Sequence, residues 1–162
     1  MQTLNKTVSY APSAYVHTLV YAVNPSAIYA QVNGIQIANT STTTDYEVDV
    51  NWVDHSDRAV SSTVYHGDGV TVNYYRYDYT TSSMFDIINN GFIPAGASLS
   101  ILDAPLTLQP NDFITVRPGD GAINKLMAMV SILECYDDGV DMSSIQELDY
   151  RLLNNWFQDA RY

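Results

Sequence analysis

Between Asp45 and Asp54 the chain alternates without interruption. Tyr46, Val48, Val50 and Trp52 fall on one side, and Asp45, Glu47, Asp49 and Asn51 on the other. A side-chain period of two belongs to a strand, so this segment is extended, with an apolar face for a core and an acidic face for solvent. Such a strand cannot bury its apolar face alone and requires a second layer. The composition says what that layer is. Charged residues are only 15%, there are 13 Tyr, and Thr and Val abound, whereas the helix-forming Lys, Arg and Glu are scarce. At 162 residues the chain can build one core and not two.

The same pattern continues on both sides of this strand. Thr18–Val23 reads as a short strand ended by Asn24-Pro25-Ser26, where Pro presets φ for a turn. Ile28–Asn39 follows, with Ile28, Ala30 and Val32 in one phase and Ile35 and Ile37 in the other. The slip at Asn33-Gly34 fits either a tight hairpin or a β-bulge, and the shortness of the two arms favours the bulge. Further strands are expected at Ala59–His66, Val70–Thr80, Phe85–Ile93, Ser98–Leu102, Leu106–Leu108, Phe113–Val116 and Ala122–Leu133. Gly67-Asp68-Gly69, Pro94-Ala95-Gly96 and Pro118-Gly119-Asp120-Gly121 punctuate them, and Gln109–Asp112 is expected to form a type I turn. The spacing predicts a mainly β protein: an antiparallel β-sandwich of jelly-roll or immunoglobulin-like form.

After Asp141 the period changes. Ser143 and Ser144 stand before Gln146 and Glu147 like a capping box. Ile145, Leu148, Leu152, Leu153, Trp156 and Phe157 then share one stripe, which predicts a C-terminal α-helix from Ser144 to about Asp159. The expected organisation is an N-terminal arm or edge strand (1–16), a sandwich domain (17–136), and a linker with an amphipathic helix (137–162).

A net charge of −11 with seven scattered basic residues leaves no patch for a phosphate backbone or an anionic membrane surface. No apolar run reaches the roughly 20 residues that span a bilayer, and Met1–Ala14 lacks the pattern of a signal sequence. One cysteine, Cys135, excludes an internal disulfide and fits a reducing compartment; its expected role is a small buried hydrophobe.

The densest set of reactive types, Asp54-His55-Ser56-Asp57, runs along an extended segment, where neighbours point apart and cannot converge as a catalytic set does. The chain is therefore expected not to be an enzyme and to need no cofactor. Asp45, Glu47 and Asp49 sit about 7 Å apart on one strand face. A solvated outer face suits them better than a metal site, which gathers oxygens on one point. His17, His55 and His66 lack ligand spacing.

Tyr75, Tyr77 and Tyr79 share a strand face that suits core packing, a subunit interface or a glycan platform. With Leu152, Trp156 and Phe157 of the helix they form the candidate subunit interface. The helix itself either covers its own sandwich or docks on a neighbouring subunit.

Two stretches together resemble small β-sandwich virion structural proteins of tailed bacteriophages. The first is Thr18–Trp52, with its Pro-containing turn, apolar strand, Asn39, Thr/Ser-rich loop and alternating strand. The second is Ile93–Glu134, with Pro94-Ala95-Gly96, a Leu strand, Pro110-Asn111-Asp112 and the final Ser131-Ile132-Leu133-Glu134. The resemblance covers about half of the chain and supplies no catalytic residues. It implies a non-enzymatic part of a virion, in the neck or tail or as capsid decoration. The implied partners are copies of itself and other virion proteins (portal or neck, tail, or major capsid), with synthesis in the host cytoplasm. A carbohydrate- or receptor-binding module is the rival from another class.

Overall fold

The computed structural model describes residues 1–54, 60–65, 71–76 and 84–145; at 60–65 and 71–76 it gives the backbone pairing. The strands are β1 (Gln2–Tyr10), β2 (Thr18–Ala22), β3 (Tyr29–Asn39), β4 (Tyr46–Val53), β5 (Val60–Tyr65), β6 (Thr71–Arg76), β7 (Met84–Ile93), β8 (Ser98–Ser100), β9 (Leu106–Leu108), β10 (Phe113–Pro118) and β11 (Leu126–Tyr136). One antiparallel sheet runs β1-β11-β3, with β8 and β9 both on the far edge of β3; the other runs β2-β10-β4-β7. Between the two sheets lies one apolar core, with Val32, Ile37 and Val130 from the first and Val48, Val50 and Ile114 from the second. The chain is a mainly β sandwich.

The phase slip in β3 is a bulge. Ser131 pairs with Gly34 and Ile132 with Val32, so Asn33 is the extra residue. The slip brings Ile35 and Ile37 to the same buried side as Ala30 and Val32. Ile28 precedes the strand and is 41% exposed, outside that set.

The Asn24–Ala27 turn forms as expected, closed by Ala27 N–H on the Asn24 carbonyl at 2.9 Å, with Pro25 at its second position. The Gln109–Asp112 turn differs from expectation. Asn111 has φ of +75°, which makes this a type II turn rather than type I. Asn tolerates the left-handed region that the third position of type II demands. Gly96, at φ +70°, does the same in the Pro94–Ala97 turn.

Two features place the appendages. Among the described residues β5 and β6 pair only with each other, from Val60 opposite Arg76 to Tyr65 opposite Thr71, in a ribbon that lies between β4 and β7 in the sequence. At the other end of the chain, the described residues contain a single 3-10 turn, Met142–Ser144, capped by Asp141. Ile145 is extended, so a helix cannot start at Ser144. The stripe residues Leu148, Leu152, Leu153, Trp156 and Phe157 lie outside the described residues.

Candidate functional site

The strand β4 positions a polar surface joined to β7 and β10. Val48 and Val50 point into the core, so Asp49 and Asn51 point away from it. The expectation of an acidic face open to solvent holds at Asp45 and Glu47, which are exposed, and is corrected at Asp49 and Asn51, 7% and 3% exposed. Asp49 lies opposite Arg117 of β10 and takes its guanidinium on Oδ2, with Nε at 2.8 Å. Its Oδ1 accepts from the Asn90 N–H of β7 at 2.7 Å. Asn90 has φ of +51° beside a register break between β4 and β7, so the carboxylate pins a bulge. One residue thus joins three strands.

Next to this network Asn51 donates through Nδ2 to Asp86, while its Oδ1 is buried with no partner among the described residues. Trp52 is only partly buried. It stacks on its cross-strand neighbour Phe85, with ring centroids 5.1 Å apart, and its indole N–H lies 3.4 Å from Asp112 Oδ2. Val53 and Phe113, register partners on the face opposite the core, are both buried.

A groove of about 530 Å³ opens over this surface, walled by Tyr15, Asp45, Glu47, Phe92, Arg117 and Asp120. Tyr15 is 49% and Phe92 57% exposed. The Tyr15 hydroxyl is held by the Gly121 N–H at 2.8 Å, so this wall is fixed in place. Gly119 runs so close to β4 that a Cβ there would meet the Glu47 carbonyl oxygen at 2.8 Å. The groove combines aromatic rings with carboxylate acceptors.

The second polar cluster is inside the sandwich. Glu134 lies in phase with Val130 and Ile132 and is fully buried. Its carboxylate accepts from Tyr21 Oη at 2.7 Å and Tyr136 Oη at 2.6 Å, and pairs with Lys6 Nζ at 2.7 Å. The Lys6 ammonium also sits 5.5 Å from the centre of the Tyr21 ring. The sequence does contain a signal for this site: an acid at an inward position of an apolar strand, and a lysine among the inward residues of β1.

Of the residues singled out from sequence, Tyr75 lies on β6 opposite Ser61. Tyr77, Tyr79, Leu152, Trp156 and Phe157 lie outside the described residues, as do His55, Ser56, Asp57 and His66. His17 sits beside Thr115, 3.5 Å from its hydroxyl. Asp45, Glu47 and Asp49 do not converge. Asp45 accepts from the Ala95 N–H at 2.9 Å and Asp49 is engaged as above. Among the described residues no group of three or more His, Cys, Asp or Glu is placed to hold a metal ion.

Cys135 is buried. The Tyr29 phenol is pushed above its ordinary pKa, first by its hydrogen bond with the Cys135 thiol. The Asp141 carboxyl is held below the usual range by the Ser143 hydroxyl and N–H.

No protein-family model and no curated protein matches the chain. Among solved structures, the D431N mutant VP2 protein of infectious bursal disease virus, in derived T=1 particles, aligns with 99% of this chain and 48% of that one. The identity is 12% and the TM-score 0.23, and the chain spans about half the length of that neighbour. A likeness at that level bears on neither fold nor function.

Proposed function

We propose that the chain is a non-enzymatic structural protein of a tailed-phage virion, assembled as an oligomer in the neck or tail region. Capsid decoration is the alternative position. The observation that carries this reading is the use made of the polar residues in the two stretches that resemble such proteins. Three of them, Asn39, Asp112 and Glu134, are fasteners of the sandwich.

Asn39, 3% exposed, donates from Nδ2 to the carbonyls of Thr44 (2.9 Å), Ile93 (3.1 Å) and Pro94 (3.2 Å), and so ties the first stretch to the second. Asp112 accepts from the Gln109 N–H at 3.0 Å, and its carbonyl from the Val23 N–H at 2.9 Å. Glu134 gathers two hydroxyls and an ammonium. A motif that records how the sheets are locked is what a particle component needs. The segment between the two stretches carries the β5–β6 ribbon, which among the described residues pairs with neither sheet. An isolated two-stranded ribbon is marginal in water, so neighbouring subunits are its natural support.

The test is the composition of density-gradient-purified particles. The chain should be present at a fixed ratio to the major capsid protein, and its absence from intact particles overturns the reading.

The groove between Tyr15 and Phe92 favours a second reading, a carbohydrate- or receptor-binding module. Ring faces stack on sugars and Asp45, Glu47 and Asp120 would accept their hydroxyls. A glycan array separates the two, since selective binding abolished by Tyr15→Ala belongs to the second reading alone.

A further inference from the structure

The sandwich has four sheet edges, and they are not protected alike. At the far edge of β3, β8 and β9 are three residues each. β2 has five residues and a register shift against β10. β7 is longer, but two register breaks interrupt its pairing with β4, and Asp86 stands on it. Shortness, bulges and charge are the devices by which natural sheets discourage strand addition.

The remaining edge, β1, has none of them. Its nine residues pair with β11 in unbroken register from Gln2 opposite Tyr136 to Tyr10 opposite Ala128. It contains no Pro, Gly, Asp or Glu. Its exposed residues are the uncharged Thr3, Asn5, Thr7 and Ser9, and its single charge, Lys6, is bound to Glu134. No described strand pairs with its outer edge.

We infer that β1 is the contact through which two copies of this chain pair, antiparallel and about a two-fold axis, to make one sheet continuous through both. Two arguments select a second copy as the occupant. An antiparallel two-fold contact needs a self-complementary strand, and a row of Thr, Asn, Thr and Ser supplies hydroxyl and amide partners in either direction. Copies carrying −11 each repel, and β1 is a surface with no carboxylate to set against its own image. The contact rests on backbone hydrogen bonds over one strand, so it is a weak dimer that forms in the micromolar range. This inference goes beyond the virion reading and does not depend on it.

Sedimentation equilibrium of the full chain across the micromolar range tests it. The expected result is a mass rising to twice 18.0 kDa, with N5K/T7K held at the monomer mass and an unchanged circular dichroism spectrum. A wild-type chain that stays monomeric overturns the inference, and so does a folded N5K/T7K that still dimerises. Hydrogen exchange on the wild type covers the case in which the variant does not fold. Amides of residues 2–10 should gain protection as the dimer forms, and dimerisation without that gain also overturns the inference.

Discussion

Glu134 and Asp49 are both acids on central strands, and each is paired with a cation from the adjacent strand: Lys6 of β1 and Arg117 of β10. Glu134 points between the sheets with a side chain 0% exposed, and Lys6 is 22% exposed. Asp49 points away from the core with a side chain 9% exposed, and the Arg117 side chain is 47% exposed. The chemistry is shared but the solvation is not. Inside the sandwich water cannot replace a lost partner, so the Glu134 cluster decides whether β1 docks. On the outer face the Arg117 end stays wet, and the Asp49 pair shapes a bulge more than it holds the fold. Burial, rather than the presence of an ion pair, sets the importance of each site.

Glu134→Ala breaks the comparison most severely. It removes the acceptor of both tyrosine hydroxyls and the partner of Lys6, and should cost about 3–5 kcal/mol in denaturant unfolding. A cost under about 1 kcal/mol contradicts the role given to the cluster. Lys6→Met with Glu134→Leu should recover a large part of that loss, because an apolar pair of similar volume leaves no buried charge.

Trp52→Ala comes next. Full burial of a Trp would make its truncation cost about 3–5 kcal/mol, and partial burial against Phe85 reduces the expectation to about 2 kcal/mol by thermal or denaturant unfolding. Asp49→Asn is smaller again. The amide oxygen can still accept from Asn90, and the lost attraction to a half-exposed Arg117 is screened, so about 1 kcal/mol is expected, shrinking with added salt. A salt-independent loss as large as that of Glu134→Ala erases the difference between the two sites.

The smallest effect belongs to Asp141, on the surface. Its carboxyl is held below the ordinary range by Ser143, so the capped turn is favoured while Asp141 is ionised. That contribution is present above the unfolded-state pKa and is lost as pH falls through the lower, folded-state value. An NMR titration should show the 142–144 turn loosening only in acid, and Asp141→Ala should remove the dependence.

Much of this architecture is legible in the sequence, because strand alternation and turn residues report phase directly. The Asn33 bulge and the Asn24–Ala27 turn follow from that local chemistry. Phase does not say how far a face is covered, which is why Asp49 and Asn51 read as solvated, while Trp52 does pack against the core as expected but is only partly buried. Pro at the second position of Gln109–Asp112 allows both turn types, and the choice falls on Asn111, whose left-handed φ the sequence permits without requiring. The Glu134 cluster joins residues more than a hundred positions apart, so its members stand in the sequence without showing that they meet. The candidate interface suffers the same limit: a shared stripe names residues but not their partner.

The decisive measurement is a cryo-EM map of the particle in which this chain is proposed to stand. If the proposed function holds, symmetry-related copies of this sandwich stand in the neck or tail region, identifiable by β1 at the edge of one sheet and the β5–β6 ribbon that follows β4 in the chain. A complete particle map in which every density is assigned to other chains contradicts it.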